Sequence, residues 1–224
     1  MKKYVLRRVS AFAVALISLT FIIIQAGVPE GWFSSDNQTD TAILPGGNSA
    51  LEALGSLEVK GKAPKTGYSR DQFGGGWSMT SGCSTRNIIL NRDLKDVQLD
   101  DECNVTSGIL NDPYTAQQIV FSRSDNASDI QIDHLVALSD AWQKGAQEMS
   151  FSQRISLAND PLNLLAVDGA ANQQKGDGDA ATWLPSNKSF RCQYVSRQIQ
   201  VKSKYTLWVT QAEKTAMTNI LNKC

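Results

Sequence analysis

Four side chains near the middle of the sequence have the types and spacing that metal-assisted phosphodiester hydrolysis needs. Asp133 offers a carboxylate oxygen and Asn172 an amide oxygen, hard donors that suit Mg²⁺ or Mn²⁺ keeping most of its waters. His134 has an unperturbed pKa near neutrality, so it can take a proton from water. Lys175 follows Asn172 by three residues, on one face of a helix, where an ammonium can neutralise phosphate charge. Together they supply a metal site, a general base and a phosphate-binding cation.

The surrounding pattern predicts the elements that must position these groups. Apolar residues around Asp133 and His134 indicate a strand over 130–136, and a second apolar run at 161–167 indicates another. Asp168 can cap a short helix that carries Asn172 and Lys175. Because neighbouring residues of a regular strand point to opposite faces, Asp133 and His134 can converge only at a distorted strand end.

The remaining segments predict a mixed order of helices, short strands and loops. The stretch 67–84 holds three consecutive glycines beside Trp77 and is predicted to be an irregular loop. Capping-box patterns at Ser49 and Thr210 predict helix starts. Further helices are predicted at 85–94, 139–147 and 151–159, and short strands at 97–99, 108–110 and 119–121.

The composition excludes several classes of protein. The 224 residues include 42% hydrophobic side chains and a single histidine. That composition excludes disorder and a polytopic membrane protein, and one histidine excludes zinc sites that need two. The sequence also lacks the phosphate-loop, dinucleotide-binding and nucleophile-elbow motifs.

The N-terminus has the character of a targeting segment. Four basic residues precede an uncharged run at 9–26, the order of an export signal or an uncleaved signal anchor. Residues 27–48 are rich in Gly, Pro, Asn, Ser and Thr and are predicted to be a flexible linker. The domain proper is therefore predicted at 49–224, either secreted or held on the extracellular face of the membrane.

Charge is distributed unevenly in the exported part. Without residues 1–26 the chain has 18 basic and 22 acidic side chains, so it is not a uniformly basic nucleic-acid binder. Residues 180–212 contain no acidic side chain, and basic residues that include Arg191 and Arg197 alternate there with aromatic ones. This pattern is typical of a surface for a polyanion. An amphipathic helix with a solvated basic face explains it more simply.

All four cysteines lie in the exported part, which favours two disulfides in an oxidising compartment. Four cysteines allow three pairings. We predict Cys83–Cys103 and Cys192–Cys224, because each of these bonds would join a local stretch.

The residues singled out above match a known motif. The runs 132–136 (IDHLV), 163–164 (NL) and 172–176 (NQQKG) resemble the HNH endonuclease motif of ββα-metal nucleases, with Asn as its third residue. From about Leu51 to Cys224 the chain resembles exported HNH proteins related to the C-terminal nuclease domain of GmrSD-type restriction enzymes. The resemblance implies an α+β fold in which a ββα-metal core is embedded among helices.

The resemblance also implies a role for each matching residue. Asp133 and Asn172 would bind the metal and His134 would be the general base. Asn163, counted with the catalytic set, would brace the loop that carries the base without taking part in the chemistry. Lys175 and Arg86 are the substrate contacts that the resemblance implies, and Arg191 and Arg197 are predicted substrate contacts from the basic stretch at 180–212. Ser84 stands where the family pattern has Asp.

Three functions follow as hypotheses. The first is an exported endonuclease that uses Mg²⁺ or Mn²⁺ to cleave DNA, or RNA, with low sequence specificity, its C-terminal helices providing a basic track behind the site. The second is a non-catalytic surface module that binds DNA or another polyanion through 188–208. The third is a serine hydrolase that uses His134, for which the sequence offers no nucleophile elbow. No protein partner is predicted.

Overall fold

The computed structural model describes residues 47–224. The predicted signal or anchor at 1–26 and most of the predicted linker at 27–48 lie outside the described residues. The first helix, α1, spans Gly47–Ser56 and so begins two residues before the predicted start of the domain at 49, with Ser49 inside the helix. Within 47–224, no helix combines the length and apolar character needed to cross a membrane.

The described chain has a mixed α+β fold, as predicted. Helices after α1 are α2 (Thr85–Asp93), α3 (Leu138–Gln143), α4 (Phe151–Asn159), α5 (Gly169–Lys175), α6 (Arg191–Lys204) and α7 (Gln211–Leu221). Strands are β1 (Met79–Thr80), β2 (Cys83–Ser84), β3 (Lys95–Leu99), β4 (Val105–Asn111), β5 (Gln118–Ser122), β6 (Ile130–His134) and β7 (Leu164–Asp168). Short 3₁₀ turns occupy Arg70–Phe73, Ala146–Glu148 and Lys188–Phe190.

The strands pair antiparallel in three small sheets, β1–β2, β3–β4–β5 and β6–β7. In the third sheet Asp133 faces Leu165 and His134 faces Leu164 across the ladder. The two strands are separated in sequence by α3 and α4, and α5 follows β7 directly. This β6–β7–α5 unit carries most of the residues that the sequence analysis singled out.

Three clusters of buried apolar side chains hold these elements together. One packs α1 against α6 and α7, one surrounds Trp142 of α3, and one joins α2 to β4, β6 and β7. Because β7 is buried along almost its whole length, both of its faces contribute to the core. Trp142 is 7% exposed and lies within this core.

Two of the predicted element boundaries that the structure corrects have identifiable reasons. The helix predicted at 139–147 ends at Gln143, because Gly145 adopts a φ of 123° that an α-helix cannot continue through. The strand predicted at 161–167 begins only at Leu164. Residues 160–163 form a turn instead, in which the backbone N–H of Asn163 donates to the carbonyl of Asp160 at 2.9 Å.

The predicted basic track on the C-terminal helices is only partly formed, with Lys188 and Lys204 exposed. Lys202 is fully buried and Arg197 is 9% exposed, and their aromatic neighbours Tyr194 and Trp208 are buried as well. Arg197 donates to the carbonyls of Pro161, Leu162 and Leu164, which ties α6 to the start of β7. The guanidinium therefore satisfies main-chain acceptors inside the protein instead of facing a polyanion.

A buried ionic cluster links α3, α6, α7 and the loop after α5. Its cations are Lys144 and Lys202, and its anions are Asp140, Asp179 and Glu213, all at most 3% exposed. Nζ of Lys144 lies 2.7 Å from Asp140, 2.8 Å from Asp179 and 2.6 Å from Glu213. Glu213, predicted to complete a capping box with Thr210, instead uses its carboxylate in this cluster, although Thr210 does cap α7.

Both predicted disulfides are confirmed. Cys83–Cys103 ties the start of α2 to the turn before β4, and Cys192–Cys224 ties the first turn of α6 to the C-terminus. No free cysteine remains in 47–224.

Removing the second disulfide should destabilise the domain without impairing its site. The bond closes a sequence separation of 32 residues, and replacing both Cys192 and Cys224 with serine should lower the free energy of unfolding by about 3 to 4 kcal/mol. Chemical denaturation monitored by circular dichroism measures the change. A variant as stable as the wild type, with the bond shown to be absent by mass spectrometry, would contradict the expectation.

The domain should lose stability in acid. Burial alone would raise the pKa of Asp179, but hydrogen bonding and charge from Lys144 hold it below the ordinary value of 3.8. Asp160 is held low in the same way by Lys204, whose Nζ lies 2.7 Å away. A carboxyl whose pKa is lowered by folding stabilises the protein above its unfolded pKa, and the stabilisation is lost as pH falls through the folded value. Urea midpoints should therefore fall steeply below about pH 4, and a flat profile down to pH 3 would contradict this.

Candidate active site

The candidate site lies where β6 ends beside α5. Asp133, His134 and Asn172 line one cavity of about 360 Å³, together with residues of the loop after α5. His134 is the last residue of β6, and beyond it the β6–β7 ladder is replaced by bonds to Asn163. Neighbouring residues of a regular strand point to opposite faces, but this strand ends at His134. Asp133 and His134 can therefore border the same cavity.

His134 is held in one orientation and one tautomer. Its Nε2 lies 2.9 Å from the carbonyl oxygen of Ala158, and its ring stacks on Trp77 with centroids 5.7 Å apart and planes 11° apart. Because a carbonyl oxygen only accepts, Nε2 carries the proton and Nδ1 keeps its lone pair in the neutral ring. Burial lowers the pKa of His134 to about 4, against the opposing effect of the Ala158 hydrogen bond, so the imidazole is neutral at pH 7.

Asn163 braces the backbone that follows His134. Its side chain is fully buried, and its Oδ1 accepts from the N–H of Val136 at 2.8 Å. Its Nδ2 donates to the carbonyls of Val136 and Leu157, and its own carbonyl accepts from Leu135. These bonds join the segment after β6 to the end of α4 and the start of β7, without bringing the amide into the cavity lining.

Asp133 is buried and bonded on both sides. Nζ of Lys175 lies 2.9 Å from its Oδ1, and the hydroxyl of Tyr114 donates to its Oδ2. Burial, followed by the charge of Asp133, raises the pKa of Tyr114 well above its ordinary value, which keeps the phenol protonated. The sequence analysis missed Tyr114, which lies 19 residues before Asp133 in a segment without a functional motif.

Lys175 does not occupy the position expected of a phosphate contact. It is 3% exposed, and besides Asp133 it donates to the carbonyl of His134 at 2.9 Å. Its ammonium therefore neutralises the Asp133 carboxylate and fixes the end of β6 from within. The expectation that it meets substrate is revised accordingly.

The two arginines outside the core also serve the scaffold. Arg86 donates to the carbonyls of Ala127 and Ile130, which holds the start of β6 against α2. Arg191 donates to the carbonyl of Pro185 at 2.7 Å and borders a different cleft beside Trp183. Neither side chain lines the cavity of His134, so the structure does not bring them together with the predicted catalytic residues.

The donors present fit a hard divalent cation. Asn172 donates through Nδ2 to Gln131 at 2.8 Å, while its amide oxygen accepts no hydrogen bond from the described residues. Each oxygen of Asp133 accepts one bond and keeps a second lone pair. One carboxylate and one amide oxygen suit Mg²⁺ or Mn²⁺ with waters completing the shell. No cluster of three or more His, Cys, Asp or Glu side chains that could hold a metal occurs in 47–224.

Family membership agrees with this geometry. Residues 84–220 match the family described as GmrSD restriction endonucleases, C-terminal domain, and the chain belongs to that family. Membership indicates a nuclease-related function and a nucleic-acid substrate. The match begins at Ser84, whose hydroxyl caps α2 by accepting from the N–H of Asn87, a task that the Asp of the family pattern could also perform.

One curated relative is similar along most of its length. An uncharacterized secreted protein of Arthroderma benhamiae is 42% identical over 183 residues, which cover 81% of this chain and 87% of that protein. No solved structure matches the chain.

Proposed function

We propose that the protein is a secreted, divalent-metal-dependent endonuclease of the HNH type, which hydrolyses phosphodiester bonds of DNA or RNA. One observation carries the proposal. The neutral imidazole of His134 shares a cavity with Asp133 and Asn172. Asp133 and His134 end β6, which pairs antiparallel with β7, and Asn172 lies on α5, the helix that follows β7. That arrangement is what a ββα-metal core would require.

The proposed reaction is hydrolysis by an activated water. Nδ1 of His134 takes a proton from the water as its oxygen forms a bond to phosphorus, and the P–O bond to the leaving oxygen breaks. Bonding of Nε2 to Ala158 keeps Nδ1 free for this proton transfer. Asp133 and Asn172 would hold the metal, which when bound stabilises negative charge on the phosphate and the leaving oxygen.

Lys175 and Tyr114 are positioning residues in this scheme. Both bond to Asp133 and neither lines the cavity, so they fix the carboxylate without meeting the substrate. The charge of Lys175 also offsets that of Asp133, which should keep metal affinity moderate in the free protein.

The two alternative functions receive less support. A binding module acting through 188–208 would need an exposed basic track, but Arg197 and Lys202 are buried. A serine hydrolase would need a hydroxyl bonded to His134, and the ring nitrogen of His134 bonds to the Ala158 carbonyl instead.

Secretion is proposed on two grounds. The relative from Arthroderma benhamiae is described as secreted, and the chain forms two disulfides, which persist in oxidising compartments. The substrate would then be nucleic acid outside the cell.

The decisive experiment incubates the oxidised protein with supercoiled plasmid and with RNA, in Mg²⁺, in Mn²⁺ and in EDTA. We expect cleavage with either metal and none in EDTA. Asn172→Ala should raise the Mg²⁺ concentration for half-maximal cleavage by about tenfold, whereas Gln174→Ala, on the same helix and outside the cavity, should leave it unchanged. No cleavage of either substrate by folded protein would overturn the proposal.

A further inference from the structure

A second cavity, of about 350 Å³, borders His134 and has no part in the chemistry proposed above. Its walls come from the Arg70–Phe73 turn and from the glycine-rich loop that ends at Trp77. Arg70, His134 and Leu138 line both this cavity and the one that contains Asp133. The two cavities therefore meet at His134, whose imidazole borders both.

Arg70 is the cation that faces this meeting point. Its side chain is exposed and makes no salt bridge with another residue of 47–224. Lys175 is bound to Asp133 inside the protein, and Lys65, which lines the cavity of Asp133, is paired with Asp177. A guanidinium is a good donor to phosphate oxygens because it offers two parallel N–H groups. A phosphate lying against Nδ1 of His134 would come within reach of Arg70.

We infer that Arg70 binds the phosphate of the substrate, and that the cavity beside Trp77 receives an unpaired nucleoside next to the bond that is cut. The preferred substrate is then single-stranded or locally unpaired nucleic acid. This inference rests on the proposed nuclease function and adds to it the class of substrate.

The size and lining of the cavity suit a nucleoside. Its volume falls within the range of small-molecule sites, about 300 to 1,000 Å³. Trp77 and Phe73 supply aromatic surface, and the Asp71 carboxylate can accept from the amino group of a base. A base held in a duplex is stacked on both faces and paired along its edge, so it cannot enter such a cavity without leaving the helix.

The wall that forms this cavity is anchored to the domain. Arg154 of α4 donates to the carbonyl of Gln72 at 2.7 Å, and Phe73 is buried in the cluster around Trp142. Gly74 has a φ of 91°, and a Cβ there would lie 2.8 Å from the side chain of Ile155. The glycine thus allows the loop to press against α4, which leaves the cavity preformed.

Gly76 offers a way to fill the cavity without disturbing its wall. A Cβ at Gly76 would meet no atom within 4 Å, and the same holds for Gly61, which lines neither cavity. Gly76 lines the cavity, so Gly76→Leu adds a bulky side chain at its wall where no atom lies within 4 Å of the new Cβ, and Gly61→Leu is the matched control.

The test measures binding and cleavage separately. Calorimetric titration with thymidine 3′,5′-bisphosphate in EDTA should show binding to the wild type and to Gly61→Leu, and binding weakened about tenfold or more in Gly76→Leu, as expected for loss of one stacked base. Arg70→Gln should weaken the bisphosphate similarly. In Mg²⁺, the wild type should cleave a single-stranded oligonucleotide at least about tenfold faster than its duplex, and Gly76→Leu should lose most of that preference.

The outcomes of these measurements test the nucleoside site and the nuclease function separately. Unchanged bisphosphate binding in folded Gly76→Leu, or equal cleavage of single strand and duplex by the wild type, would overturn the nucleoside site. Should Gly76→Leu fail to fold, Asp71→Leu, an exposed position lining the same cavity, replaces it with the same expectations. Binding of the bisphosphate without cleavage of any nucleic acid would uphold the subsite and refute the nuclease.

Discussion

His134→Ala is expected to lower the single-turnover rate of nucleic-acid cleavage by about a thousandfold, the usual contribution of a general base. The variant loses the only imidazole of the chain, and no neighbouring group that lines the cavity can take its place at neutral pH. Asp133 is bonded on both oxygens and Asp177 is paired with Lys65. Metal binding, followed by the electron paramagnetic resonance of Mn²⁺, should change little because the proposed ligands remain.

A second substitution at the same position separates the loss of the general base from the loss of the hydrogen bond to Ala158. The Ala158 carbonyl loses its donor in His134→Ala, which should cost about 1 kcal/mol of stability. In His134→Gln the side-chain amide can still donate to Ala158 but cannot act as a base at neutral pH. We expect His134→Gln to be as inactive as the alanine variant while unfolding at nearly the wild-type temperature. A glutamine variant that retained a tenth of the rate or more would refute the assignment of His134.

Lys144→Met is expected to have the largest effect on stability, with a loss of about 3 to 5 kcal/mol. Its ammonium is fully buried and bonded to Asp140, Asp179 and Glu213. Methionine fills a similar volume but carries no charge, so the three buried carboxylates lose one of the cations that neutralise them. Burial works against the charged lysine, yet the three carboxylates raise the pKa of Lys144 well above its ordinary value.

Urea denaturation measures this loss, and a surface lysine provides the comparison. Lys60 pairs with Glu58 at 2.8 Å, with about half of each side chain or more exposed, so Lys60→Met should change stability far less than Lys144→Met does. Equal effects of the two substitutions would show that the buried cluster contributes no more than a surface pair.

The sequence alone identifies which residues form the candidate site, but it does not predict what surrounds their side chains. Asp133, His134, Asn163 and Asn172 are recognisable because their order and spacing follow a motif, and the structure brings Asp133, His134 and Asn172 to one cavity. The disulfides were predictable because each joins a local stretch. Both signals are carried by the order of residues along the chain.

The sequence does not reveal which charged residues are buried. Lys175, Arg197 and Lys202 carry the charge expected of a surface, and each lies against acceptors from distant segments. Their long aliphatic stems allow them to occupy the interior once those acceptors are in place. Arg70 and Tyr114 were missed for the complementary reason, since neither belongs to a motif and only the fold brings them near Asp133 and His134.

The cavity beside Trp77 and His134 is assembled from two separate stretches of chain. The family match starts at residue 84, whereas Arg70 and the glycine loop lie upstream of it. Replacing the tip of this loop would reshape the entrance for substrate while the β6–β7–α5 unit kept its geometry, since a Cβ added at Gly76 would meet no atom within 4 Å. Substitutions in the segment before residue 84 should therefore change which substrates are accepted while the reaction centre stays unchanged. A domain trimmed to the family boundaries would lack this wall of the cavity.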